Sequence, residues 1–176
     1  MNVLLRLYLR FGFEHLRQRI RLGAPRNYVA VYGTLMRSVA EQITNQELRE
    51  EARAARTPLG AYLGSCRIKG RLVDLGEYPG LVPDDSGTVA GELYELPFGK
   101  SGEALDQFRA AIREIDRYEE IDVEYPDRSE YTRRFVKLAS PADAAAWVYF
   151  LNRPRSNPVP VPSGEWKGTL RAEAEK

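Results

Sequence analysis

Apolar and polar positions along this chain repeat with two periods, one of strands and one of helices. Tyr28 to Tyr32 (YVAVY) is a short run of β-branched and aromatic residues halted by Gly33, which predicts a buried strand opening into a turn. Residues 39–55 are rich in helix formers and stop before Pro58, predicting one helix. From 59 to 75 β-forming residues return, punctuated by Gly60, Gly64, Gly70 and then Gly76. Tyr78-Pro79-Gly80 and Pro83 to Gly87 read as turns around a short apolar step, and Thr88 to Leu96 (TVAGELYEL) reads as the next strand. Ser101 to Tyr118 has the clearest helical period. Tyr131 to Leu138 and Ala144 to Leu151 predict an antiparallel pair around Ser140-Pro141-Ala142-Asp143, after which prolines break the chain from Pro154 to Pro162. Short strands near every ten residues with two helices inserted predict the α+β class, as a mixed sheet curling toward a small barrel.

The N-terminus stands apart. Read as a helix, residues 1–26 gather Arg6, Arg10, Arg17 and Arg21 in one stripe, with leucine, phenylalanine and isoleucine elsewhere around it. Read as a strand, Val3, Leu5, Leu7, Leu9, Phe11 and Phe13 alternate. The helical reading is preferred, giving a basic amphipathic extension before a domain at 27–167 and a charged tail at 168–176. Six arginines against Glu14 give residues 1–27 a charge of +5, so with +1 overall the remainder carries −4. That acidic remainder argues against a nucleic-acid surface on the domain, while a membrane-surface or dimer contact through residues 1–26 stays open.

A chain of 176 residues, 43% of them hydrophobic and 29% charged, suits one folded domain. No apolar stretch reaches the ~18 residues a membrane span requires, and no leader is evident, so a cytoplasmic protein is expected. One cysteine, Cys66, and one histidine, His15, exclude an intrachain disulfide, a Cys/His zinc cage and a Cys-His dyad. The chemistry left is that of carboxylates, hydroxyls and backbone groups, with neither metal nor cofactor expected.

Two constellations carry that chemistry. On the second helix Leu105, Phe108, Ile112 and Ile115 share a face, and the same step brings Glu119 onto it. Burial would raise its pKa toward that of a general base. The alternative ends the helix by Tyr118 and turns Glu119 to solvent or to Arg133 or Arg134. The other constellation is Tyr32-Gly33-Thr34-Leu35, a strand opening into a glycine turn whose amides can hold an anion or a carbonyl oxygen, although strand-to-glycine exits are common.

Taken together, YGTL after a buried strand, GELYEL in a later strand, IDRYE at a helix end, EYTRR opening the following strand and SGEW near the end resemble the gamma-glutamylcyclotransferase-like superfamily. The matching pieces are Tyr32 to Leu35, Gly91 to Tyr94, Ile115-Asp116 with Glu119, Tyr131 with Arg133, and Ser163 to Trp166. This chain departs from the pattern in Ile115 for leucine, Glu120 for the glycine that follows the acid, a long segment from Ile121 to Glu130, and Glu165 for aspartate. The resemblance implies a small β-barrel with peripheral helices and a cofactor-free reaction in which a γ-glutamyl α-amine attacks its own γ-carbonyl. A small-molecule γ-glutamyl amine or peptide would yield 5-oxoproline and a free amine. Glu119 would be the general acid/base, the Tyr32, Gly33, Thr34 and Leu35 loop would hold the α-carboxylate or oxyanion, Tyr131 would donate a hydroxyl, and Asp116 would orient the helix end. The second reading is a non-catalytic module that binds a small ligand on the same fold.

Overall fold

In a computed structural model, residues 27–43, 45–97, 102–153 and 158–167 are described. The N-terminal extension, the tail at 168–176, Ser101 and the start of the proline-broken segment lie outside them. Among the described residues eight strands are formed: β1 (Tyr28–Val31), β2 (Ala61–Lys69), β3 (Arg71–Asp74), β4 (Pro79–Val82), β5 (Thr88–Glu95), β6 (Tyr131–Lys137), β7 (Ala145–Leu151) and β8 (Val159–Pro160). The helices are α1 (Arg37–Ala40), α2 (Gln46–Arg56) and α3 (Gly102–Tyr118).

The α+β class is as expected, with mixed strand pairing. Strands β2-β5-β1-β7-β6 make one sheet, antiparallel except for β1 beside β7, and β4-β3-β8 make a second. The expected barrel is not closed by a ladder among the described residues. The five-stranded sheet instead meets itself at one bridge between β2 and the connection after β6, where the Arg67 amide donates to the Ser140 carbonyl at 2.8 Å. The continuous β reading of 59–75 divides at Gly70 (φ 146°), where the chain leaves the first sheet for the second.

Alternation along the central strands gives this sheet two buried faces. Trp147, Tyr149 and Leu151 of β7, with Val29 and Val31 of β1, join Ile112 and Ile115 of α3 in one cluster. Their neighbours Ala146, Val148, Phe150 and Ala30 pack on the other side with Leu72 and Leu81 of the second sheet. A run as apolar as AAWVYFL is thereby explained, since β7 is buried at every position.

Two sequence expectations need correction. The single helix at 39–55 is two, because the Asn45 side chain accepts from the amides of Glu47 and Leu48 (2.9 and 3.2 Å) and starts α2 afresh. Pro79 and Gly80, read as part of a turn, belong to β4, an edge strand where proline's missing N–H is tolerated. On α3, Ile112 and Ile115 are buried and Phe108 packs partly against the core, but Leu105 is exposed.

Candidate active site

β1 is central, and where it ends the chain makes a single 3-10 turn, Gly33–Leu35. Gly33 takes φ 59°, and a Cβ there would overlap the Pro79 ring, so both the backbone angle and the close approach of β4 require glycine. Leu35 is buried in the core, whereas the Thr34 hydroxyl accepts from Tyr118 Oη at 2.8 Å. The exit of the loop is held by Glu92, a buried acid of β5. Its Oε2 accepts the Arg37 amide at 3.0 Å and Tyr94 Oη at 2.7 Å. Among the described residues, the amides of Gly33 and Thr34 donate to nothing outside their own turn.

α3 delivers two acids beside this loop. Asp116 is buried and accepts from Arg133 Nη1 at 2.6 Å and from Tyr149 Oη at 2.7 Å. Desolvation nevertheless raises its pKa against the pull of Arg133. Glu119 follows one turn later. Its amide still bonds to the Ile115 carbonyl at 2.9 Å, so it caps the helix and keeps the direction of the buried face. Its carboxylate makes no hydrogen bond or ion pair among the described residues; Arg133 is taken by Asp116 and Arg134 stacks over Phe150. Burial, then the charges of Asp116 and Glu130, push Glu119 up to about 8 from 4.5.

Tyrosines surround that acid. The Tyr32 hydroxyl accepts the Leu81 amide at 3.0 Å, which leaves its own proton without an acceptor among the described residues. Tyr131 does the reverse, giving its one proton to the Pro79 carbonyl at 2.9 Å. Both are raised by burial, and both feel the charge of Glu119. β4 is thus tied across the site by two hydroxyls of opposite polarity. Tyr78 Oη donates to Glu130 at 2.9 Å, fixing the end of the Ile121 to Glu130 segment at the same place.

Glu119, the Tyr32–Leu35 loop and Tyr131 are therefore brought together. Sequence reasoning gave no role to Tyr118, Glu92, Tyr78 or Glu130; an acid set between Gly91 and Leu93 inside a strand was the available signal for Glu92. Ser163 to Trp166 lies elsewhere. The Gly164 carbonyl accepts the Ala90 amide at 2.8 Å, Glu165 pairs with Arg67 at 3.2 Å and Trp166 is buried, so the motif closes the β2–β5 end of the sheet. Among the described residues no group of three or more His, Cys, Asp or Glu could hold a metal ion, and no helix is long and apolar enough to cross a membrane.

Residues 29–168 match the family model described as gamma-glutamyl cyclotransferase, AIG2-like. No curated protein matches the chain. Among solved structures, YkqA from Bacillus subtilis is 20% identical with a TM-score of 0.50, over 81% of this chain and 40% of that one. An uncharacterized protein, PH0828 from Pyrococcus horikoshii, is 19% identical with a TM-score of 0.44, over 78% of this chain and 87% of that one. At such identities the likeness to YkqA bears on the fold alone.

Proposed function

The chain belongs to the AIG2-like gamma-glutamyl cyclotransferase family, and from that premise we propose that it is an enzyme cyclising a γ-glutamyl amine or peptide to 5-oxoproline. The observation that carries this reading is Glu119, an acid without a partner among the described residues, desolvated beside a loop whose Gly33 and Thr34 amides donate to nothing described outside their own turn. Closing a five-membered ring is unimolecular, so the protein need only fold the substrate, move protons and hold the oxyanion. The substrate's α-ammonium gives a proton to Glu119, and the freed amine attacks the γ-carbonyl carbon. The amides of Gly33 and Thr34 face the α-carboxylate or the developing oxyanion. Glu119 passes protons to the old amide nitrogen as its bond to carbon breaks. One of the ammonium's three protons stays on the lactam and two leave on the departing ammonium.

The hydroxyl that donates into the site is assigned to Tyr32, whose proton has no acceptor among the described residues, and Tyr131 serves as the wall that holds β4. The domain at 27–167 would suffice for this chemistry, with residues 1–26 an extension and 168–176 a tail. A panel of γ-glutamyl amines and dipeptides, assayed for 5-oxoproline by mass spectrometry, tests the reading. Turnover of at least one member, lost in Glu119→Gln, is the expected result; inactivity across the panel favours the binding-module reading.

A further inference from the structure

Arg56, the last residue of α2, is a cation that this mechanism does not use. Among the described residues its Nε and Nη1 are buried and donate to nothing, and it takes part in no ion pair. The other arginines nearby are occupied: Arg133 pairs with Asp116, and the Arg37 guanidinium lies 5.5 Å from the centroid of the Tyr62 ring. A guanidinium stays charged at any physiological pH, so burying its donors unpaired is costly unless an acceptor arrives.

Its position says which acceptor. α2 packs against both the Gly33–Leu35 turn and α3, and Ala55, next to Arg56, is buried with Leu35 and Tyr94. The Arg56 charge reaches the hydroxyls of Tyr94 and Tyr118. Those two hydroxyls are the ones that hold the loop, through Glu92 and through Thr34. The unpaired guanidinium therefore stands at the loop that faces the substrate.

We propose that Arg56 is a carboxylate-binding residue of this site, its planar fork receiving a carboxylate of the bound γ-glutamyl substrate. The proposal rests on the reading of the site given above. A γ-glutamyl amino acid offers two such groups, the α-carboxylate of the glutamyl part and that of the released amino acid.

The test measures binding by calorimetry in the full chain carrying Glu119→Gln, with and without Arg56→Met or Arg56→Lys. Three ligands are used: γ-glutamylalanine with both carboxylates, γ-glutamylethylamide with the first alone, and 4-aminobutanoylalanine with the second alone. Arg56→Met is expected to weaken γ-glutamylalanine by about tenfold or more, the scale of a charge-assisted bond, and Arg56→Lys by less because it keeps the charge without the fork. A loss shared with γ-glutamylethylamide but not with 4-aminobutanoylalanine assigns the α-carboxylate; the opposite pattern assigns the released amino acid. Unchanged affinity for γ-glutamylalanine, no binding of it to the Arg56 protein, or equal weakening of all three ligands overturns the proposal. Thermal unfolding without ligand is expected to show Arg56→Met melting no lower than its parent, since it removes an unpaired buried cation. The 5-oxoproline assay on the unmutated protein is read separately: no product with the expected binding pattern sinks the enzyme reading and keeps this one, and product with Arg56-insensitive binding does the reverse.

Discussion

Asp116 and Glu119 stand three residues apart at the end of α3, and burial raises the pKa of both, yet their surroundings are opposite. Asp116 is closed in by Arg133 and Tyr149, whose donors occupy Oδ1 from two strands. Glu119 has no such donor among the described residues, and the charges that act on it, from Asp116 and Glu130, are of its own sign. Desolvation alone therefore does not make a base. In Asp116 the donors of Arg133 and Tyr149 occupy the carboxylate and oppose the effect of burial, whereas Glu119, with no such donor, can take up and release a proton near neutrality. The same helix end supplies an anchor and a reagent, separated by one turn.

The largest effect that would break this contrast is on the anchor. Arg133→Met leaves Asp116 buried without its cation and removes the stacking of Arg133 over Trp147, so it is expected to cost about 3–5 kcal/mol in chemical denaturation. Adding Asp116→Asn should recover part of that loss; an Arg133→Met protein of wild-type stability would show that the pair anchors nothing.

Next comes the reagent. Glu119→Gln keeps shape and removes proton acceptance, so 5-oxoproline formation should fall by about 10²-fold or more with the fold retained. The sign of its pH effect follows from a folded pKa of about 8 against an ordinary 4.5. Stability is fullest below 4.5, where both states are protonated, and is lost as pH rises toward 8, because the unfolded chain ionises first. Wild-type stability relative to Glu119→Gln should therefore decline by a few kcal/mol between those pH values and then level off. Over the same range kcat/KM of the wild type should rise through about 8 as the free enzyme's base ionises. A pH-independent stability difference would mean that Glu119 is not desolvated.

Smaller again is the loss at the loop beside Glu119. Gly33→Val meets φ 59° and the Pro79 ring at once, so it is expected to lower stability by about 1–3 kcal/mol as well as turnover. Full activity with wild-type stability would remove the loop from the site.

The positions of Glu119 and of the glycine loop were legible in the sequence, because they depend on local spacing, but the pairing of Asp116 with Arg133 and Tyr149 was not. The step of four from Ile115 to Glu119 and the strand-to-glycine stop at Tyr32-Gly33 carry their own geometry. What could not be read depends on contacts across the fold. Tyr131 and Tyr32 look alike as residues, and only the position of β4 decides that one spends its proton on Pro79 while the other accepts from Leu81. Tyr78 and Glu130 are 52 positions apart yet bonded, and no periodicity links them. The break between α1 and α2 was missed for a different reason: Asn45 is an N-cap inside a stretch whose composition is otherwise helical throughout.

The smallest effect is the sharpest test of how α3 ends. The Glu120 amide bonds to the Arg117 carbonyl (3.2 Å) and the Ile121 amide to the Asp116 carbonyl (2.9 Å), the crossed pair of a Schellman ending, with Glu120 in its left-handed position at φ 49°. This is the place where the family pattern puts glycine, and a side chain there is strained. Glu120→Gly should relieve that strain, offset in part by the greater freedom of glycine in the unfolded chain, for a net gain of about 1 kcal/mol and a rise in Tm of about 2–4 °C. Glu120→Ala keeps the strained backbone and loses only an exposed charge, so it should change little. If alanine stabilises as much as glycine, the gain comes from removing negative charge near Glu119, and the helix ending is not under strain.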